Sequence, residues 1–247
     1  MWIVIFTLGG FWLHPISFFL TGLVILSGTM YEYYSIIKTS GIRPQLITGI
    51  LTGITGYTIA TLTAAGILEA GSLLILIPLM LLIPMIELYR KQDRPFDSLA
   101  HTFFPLFYIG VPFSLFPFSA FGHHGLSTFL NHSQVIFSPG IVIGFFLMQW
   151  AYDTGAYLTG ISFGRNRIME RISPKKSWEG FFGGMIITAI VAWFLGGWLG
   201  IVARPLWLVM AVIISISGTY GDLVESMLKR SLGVKDSGTI MPGHGGF

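Results

Sequence analysis

The residues best equipped for chemistry crowd the last stretch of the chain, Gly221 to Phe247, GDLVESMLKRSLGVKDSGTIMPGHGGF. Asp222, Glu225, Ser226 and Lys229 recur at i, i+3, i+4 and i+7, which is one face of a helix. A carboxylate pair on that face, Asp222 with Glu225, can hold a divalent cation, and Lys229, Arg230 and Lys235 can hold phosphate. The closing Pro242-Gly243-His244-Gly245-Gly246 has little side-chain bulk, so its backbone N–H groups can approach an anion closely. These are the parts of a metal-assisted phosphoryl-transfer site. The same spacing also describes a helix end with a basic flank and a flexible tail, and spacing alone leaves both readings open.

Two stretches upstream add polar groups. Asp153 sits deep in an apolar segment, in QWAYDTGAYLTGISFGRNR, with Tyr157 one turn on and facing the same way. No cation lies beside it in sequence, so a partner from another helix or a water-filled cavity is expected, and function is favoured over structure. Gly155 and Gly160 allow close helix contact there. The loop Gly164 to Lys176 follows and ends ISPKKSWEGFFGG. Ser173-Pro174 is expected to start a helix, with Glu179 after its first turn, and Lys175 and Lys176 near its N-terminus then make an anion site. Ordinary anchoring by interfacial lysines is the alternative. Other ionisable groups offer less. Glu32 and Glu87 lie within a turn or two of Lys/Arg, so capture by an interfacial cation is expected for both. Tyr31, Tyr33 and Tyr34 read as an interfacial aromatic cluster, and His123, His124 and His132 fit a wet loop as well as a metal site.

The elements that must position these groups follow from composition. Apolar residues make up 53% of the 247 residues and charged residues 10%, with a mean hydropathy of +0.75. Soluble domains carry roughly 25% charged residues, so this chain cannot hide its apolar surface in one water-soluble core. It reads as an all-α, polytopic integral membrane protein. The absence of cysteine excludes disulfides and thiolate chemistry, and a net charge of +3 is too small to argue for nucleic acid. About eight apolar segments stand out: Trp2 to Leu13, Pro15 to Ile37, Pro44 to Leu68, Gly71 to Leu88, Leu99 to Phe118, Ser138 to Ser162, Trp178 to Ile201 and Pro205 to Met227. The N-terminus lacks a basic n-region and reads as a membrane segment rather than a removable signal. With this partition every Lys and Arg except Arg204 falls on one side, which marks that side, and the N-terminus with it, as cytoplasmic. Residues 1–118 then form the N-terminal and middle membrane helices, and 119–247 the catalytic membrane region.

At this point the residues match a known family. Ser226-Met-Leu-Lys-Arg, then Lys235-Asp236-Ser237-Gly238, then Pro242-Gly243-His244-Gly245-Gly246 resembles the signature of phosphatidate cytidylyltransferase (CDP-diacylglycerol synthase). Asp153-x-x-Ala-Tyr157 with Phe163-Gly164-Arg165, and Ser173-Pro-Lys-Lys-Ser-Trp-Glu-Gly180, resemble the family's two upstream motifs. The likeness runs from about Trp150 to the end, and the N-terminal half matches only as hydrophobic spans. The resemblance implies an integral enzyme of the cytoplasmic membrane that joins CTP and phosphatidic acid into CDP-diacylglycerol and releases pyrophosphate. It implies an all-helical homodimer with a polar cavity open to the cytoplasm, using Mg2+, with K+ as a further candidate. It makes Asp222, in Gly-Asp-Leu, a metal ligand, with Glu225 a weaker candidate. Lys175, Lys176, Lys229, Arg230 and Lys235 would share the phosphates, and Ser226 and His244 would donate hydrogen bonds. Asp153 would orient a lysine or the nucleotide, and Tyr157, Arg165 and Asp236 complete the substrate-binding set. The family's second metal-binding Asp belongs to an Asp-Arg pair just past Gly-Gly-Phe, followed by a last helix. The sequence stops at Phe247, so truncation with half the metal site missing is expected. A CTP-dependent lipid-alcohol kinase, a transporter with Asp153 and Glu32 as ion sites, and an inactive structural relative are the rival readings.

Overall fold

A computed structural model describes residues 9–122 and 135–233. The described chain is helical apart from two short hairpins, and it falls into two compact units that part between Pro139 and Gly140. Six of its helices are long and apolar enough to cross a membrane. The protein is thus an all-α, multi-pass membrane protein.

In the first unit, residues 9–13 form a helical turn that breaks at His14-Pro15. There His14 caps α1 (Pro15–Thr39), its Nδ1 accepting from the Ile16 N–H at 3.2 Å. Then come α2 (Leu46–Ala64), a 3₁₀ turn (Ala70–Ile75) leading into α3 (Leu76–Tyr89), and α4 (Pro95–Ala120). A π turn at Leu106–Gly110 interrupts α4 just after Pro105, whose ring cannot continue the regular ladder. Strands β1 (Phe121–Gly122) and β2 (Ile136–Phe137) pair antiparallel. Helices α1 and α2 lock by exchange. Tyr57 of α2 seats over Gly22 of α1, and Tyr34 of α1 seats over Gly49 of α2, where in each case a Cβ would strike the ring hydroxyl. Phe18 sits at the centre of an aromatic cluster with Phe11, Phe116, Phe121 and Phe137.

The first unit also settles Glu87. It accepts from Arg90 Nη1 at 2.8 Å and from Gln45 Nε2 at 2.6 Å. Capture by an interfacial cation is therefore what its burial required. Tyr33 and Tyr34 are buried rather than interfacial, and their hydroxyls reach His101 Nδ1 and the Thr102 carbonyl of α4, each at 2.9 Å. Tyr31 is half exposed. Glu32 is buried.

The second unit holds α5 (Gly140–Phe163), the hairpin β3 (Arg167–Met169) and β4 (Ser173–Ser177), α6 (Trp178–Trp198) and α7 (Arg204–Ser231). Its core is Met148, Ala192, Leu195, Trp207, Ala211 and Ile214. Helices α5 and α6 approach through small residues, as the glycines of α5 predict. A Cβ on Gly155 would stand 3.2 Å from the Gly184 Cα, and one on Gly184 would stand 3.0 Å from the Ala156 nitrogen.

Six elements rather than eight meet both length and apolarity among the described residues. The first expected segment lies largely outside those residues. The sixth is α5, of full spanning length at 24 residues, whose Gln149, Asp153 and Thr154 dilute its apolar run.

Candidate functional site

Three elements of the second unit supply the site. Helix α7 runs four residues beyond the apolar segment expected from sequence, so Asp222, Glu225, Ser226, Lys229 and Arg230 all ride on one continuous helix. Its last turn carries Lys229 and Arg230, where cations suit the negative end of the helix dipole.

The loop before α6 departs from expectation. Ser173-Pro174 does not start a helix: Ser173–Ser177 is a strand paired with Arg167–Met169, with Arg167 opposite Ser177 and Met169 opposite Ser173. The helix begins at Trp178, and Ser177 is its cap, accepting from the Gly180 N–H at 3.2 Å. Glu179 in the first turn folds the loop back. Its carboxylate accepts from the N–H groups of Arg165 and Asn166, each at 3.1 Å, and from Asn166 Nδ2 at 2.8 Å. The pairing is irregular between those two points, four steps of Ser173–Ser177 spanning two of Arg167–Met169, and Lys175 is exposed where Lys176 is half-buried.

Lys176 is the one turned toward α7. Its Nζ lies 2.7 Å from Asp222 Oδ2 and 3.4 Å from the Thr219 carbonyl oxygen. One turn before Asp222, Thr219 shares a hydrogen bond between its hydroxyl and that of Tyr152 on α5. Beside Tyr152, Asp153 accepts from Gln149 Nε2 at 3.1 and 3.3 Å. Its partner is therefore a residue of its own helix one turn back, not one from another helix. Asp153 also sits in the electrostatic field of Asp222 and Lys176. Gln149 in turn packs where Gly218 leaves room, with its amide 3.1 Å from the place a Cβ would occupy. Asp153, Lys176 and Asp222, separated by more than 20 residues at each step, thus converge on one polar cluster.

The cluster is open to water. The Asp222 side chain is 58% exposed and that of Lys176 27%. Lys176 engages Oδ2 of Asp222, and Oδ1 has no hydrogen-bond partner among the described residues. One turn on, Glu225 pairs with Lys229 at 2.6 Å along the helix surface. Lys175, Arg165, Tyr157 and Arg230 are exposed, and Ser226 is partly exposed. Lys235, Asp236 and His244 lie outside the described residues, as do His123, His124 and His132. Sequence reasoning passed over Gln149, Tyr152 and Thr219, and it placed Glu179 without its role in folding the loop back. Their signals were present: Gln149 precedes Asp153 by four positions, Thr219 precedes Asp222 by three, and Glu179 falls in the first turn of its helix.

The sequence model of the Cytidylyltransferase family matches residues 1–247. The chain belongs to that family. Among its curated relatives is the phosphatidate cytidylyltransferase of Staphylococcus saprophyticus, 47% identical over 103 residues, which are 41% of this chain and 40% of that protein. The protein of the same name from Staphylococcus haemolyticus is 48% identical over 106 residues, again 41% of this chain and 40% of the relative. That from Mycobacterium leprae is 43% identical over 104 residues, 39% of this chain and 31% of the relative. The matched part of the chain therefore spans two fifths or less of these relatives.

For a cytidylyltransferase, the donors in the cluster suit a hard divalent cation. Asp222 offers an exposed carboxylate with one oxygen free among the described residues, and Asp153 adds a second carboxylate to the same field. Mg2+ typically takes one or two carboxylates and completes its shell with water and substrate phosphates. No group of three or more His, Asp or Glu side chains that could hold a metal occurs among the described residues.

Proposed function

We propose that the protein transfers a cytidylyl group from CTP to phosphatidic acid, forming CDP-diacylglycerol and pyrophosphate, at the cytoplasmic side of the cell membrane. The observation that carries this reading is the Lys176–Asp222 pair, which joins the Ser-Pro-Lys-Lys strand to the Gly-Asp-Leu helix at 2.7 Å within a chain of this family. The names of the relatives supply the substrate pair. Every Lys and Arg but Arg204 falling on one side of the expected spans supports the cytoplasmic placement.

In this reaction a phosphate oxygen of phosphatidate bonds to the α-phosphorus of CTP, and the bond from that phosphorus to the β-phosphate oxygen breaks. The attacking oxygen is already anionic, so the residues need supply no strong base. The barrier is charge crowding between two phosphates, and fixed cations and dipoles lower it. Mg2+, when bound by Asp222 with Asp153 in support, would neutralise phosphate charge. Lys176 presents its ammonium to an incoming phosphate, held in place by the Thr219 carbonyl, and Tyr152 fixes Thr219. Lys175, Lys229, Arg230 and Lys235 extend the cationic surface, and Ser226 and His244 serve as hydrogen-bond donors. K+ is a second candidate ion and a homodimer the proposed assembly. Two acyl chains keep phosphatidate in the bilayer, which fits a multi-pass enzyme.

The experiment supplies CTP and phosphatidic acid in mixed micelles, with and without Mg2+, and separates the products. Mg2+-dependent pyrophosphate and CDP-diacylglycerol are expected. With a lipid alcohol added to the micelles, CDP release and phosphorylation of the alcohol would replace this reading with a kinase, and in proteoliposomes ion-driven flux without turnover would replace it with a transporter.

A further inference from the structure

The first unit carries a cationic cavity that the transfer reaction does not use. It has a volume of about 620 Å3, and its lining includes Lys38, Arg43, Gln45, Ile47, Ile86 and Arg90. These residues come from the last turn of α1, the entry to α2 and the end of α3, three of the helices able to cross a membrane. The cavity therefore belongs at a membrane–water interface, at the Lys/Arg-bearing ends of those helices.

Its parts are unequal. Arg90 is preorganised: Nη1 donates to Glu87 Oε2 at 2.8 Å and to Ser98 Oγ at 3.1 Å, and Nη2 donates to the Arg43 carbonyl at 2.8 Å. Lys38 and Arg43 are exposed, and neither side chain has a partner among the described residues. Glu87 offsets one of the three positive charges, so the lining keeps a surplus of cations. The first turn of α2 also lines the cavity, and no side chain caps it; the Leu46 N–H is taken by the Pro44 carbonyl at 3.0 Å, which leaves the N–H groups of Ile47 and Thr48 at the positive end of the helix dipole. Gln45 forms a fixed wall. It is only 4% exposed, with Nε2 committed to the Ile83 carbonyl at 2.8 Å and to Glu87, while its Oε1 is buried without a partner among the described residues. Apolar groups meet the same rim: Ile47 is 72% exposed and Ile86 38%. A free phosphate would satisfy the cations and make no use of these two isoleucines. A ligand with an anionic head and an apolar body satisfies both.

We propose that this cavity binds the phosphate headgroup of an anionic membrane phospholipid, gripped by Lys38, Arg43 and the N-terminal turn of α2, as a bound lipid that is not consumed. The site is formed wholly by residues of the first unit and does not depend on the transferase reading, because its test measures lipid retention and not turnover.

The test places the full chain in phosphatidylcholine nanodiscs containing phosphatidylglycerol, transfers it to mild detergent, and counts retained lipids by native mass spectrometry. A parallel arm adds inorganic phosphate. Retention of phosphatidylglycerol in preference to phosphatidylcholine is expected, undisturbed by millimolar phosphate. Each basic residue near an anionic lipid surface contributes about five-fold in affinity, so Lys38→Gln with Arg43→Gln should weaken retention roughly 30-fold. Ile47→Glu, at an exposed rim position that cannot disturb the core, should also abolish retention by repulsion. Arg167→Gln with Arg171→Gln removes equal charge from the second unit and should leave retention intact. Undiminished retention in the Lys38/Arg43 and Ile47 variants would overturn the proposal. So would equal loss in the Arg167/Arg171 control, equal retention of phosphatidylcholine, or binding of inorganic phosphate in place of lipid.

Discussion

Asp222→Asn separates chemistry from architecture. The substitution keeps the shape of the side chain and removes its charge. The ion pair it breaks is short, 2.7 Å, but the Asp222 side chain is 58% exposed, so water screens it. Its structural worth is that of a surface pair, about 0.2–1 kcal/mol. For a chain of 247 residues this corresponds to a fall in melting temperature of at most about 4 °C. The effect on turnover should be far larger. A carboxylate that would hold the cation neutralising crowded phosphates is worth on the order of 100-fold in rate, or about 2.7 kcal/mol. Pyrophosphate release from CTP in phosphatidate micelles gives the rate, and intrinsic-fluorescence melting in the same detergent gives the stability. Turnover within about two-fold of the wild type would remove Asp222 from the reacting centre. A melting temperature lowered by about 10 °C or more alongside the rate would make it a structural residue instead.

Other substitutions address neighbouring parts. Lys176→Met should raise the KM for CTP, and combined with Asp222→Asn its effect should fall short of additivity, since the two residues share one contact; a double-mutant cycle on kcat/KM reads this directly. Gly184→Val should cost on the order of 1–3 kcal/mol, visible as a lowered melting temperature, because its Cβ would meet the Ala156 nitrogen at 3.0 Å. Tyr152→Phe should cost about 1 kcal/mol of stability and lower kcat, through the freed Thr219 hydroxyl. Glu87→Ala should cost about 2 kcal/mol by stripping Gln45 and Arg90 of a charged acceptor, with kcat/KM unchanged in the surviving folded enzyme.

The helices were legible because a membrane span is written in one dimension: a run of about 20 apolar residues suffices, whatever it packs against. The face of α7 was legible for the same reason, since Asp222, Glu225 and Lys229 need only the helical period to be aligned. The hairpin was not. Ser173-Pro174 carries the chemistry of a helix start, and what overrides it is the pairing of Ser173 and Ser177 with Met169 and Arg167, a contact between separate segments. The true cap, Ser177, competes with Ser173 on equal local terms. For Asp153 a carboxylate inside an apolar run suggests a partner on another helix or a water-filled cavity; the side chain is exposed, and its hydrogen-bond partner is Gln149 on the same helix, which periodicity alone did not single out. Glu179 could be placed in a first turn from sequence, but its grip on the backbone of Arg165 and Asn166 depends on how the loop folds back.

The hairpin makes the site sensitive to the length of one ribbon. Lys176 reaches Asp222 from within the irregular stretch of Ser173–Ser177, where four steps of that strand oppose two of Arg167–Met169, while Lys175, one residue earlier, is exposed. Substituting a residue in this ribbon alters one side chain, but inserting or deleting one would shift the irregular stretch from which Lys176 is delivered. The length of the segment between its two anchors, Asn166 at one end and the Ser177 cap at the other, is therefore as much a part of the chemistry as the lysine it delivers.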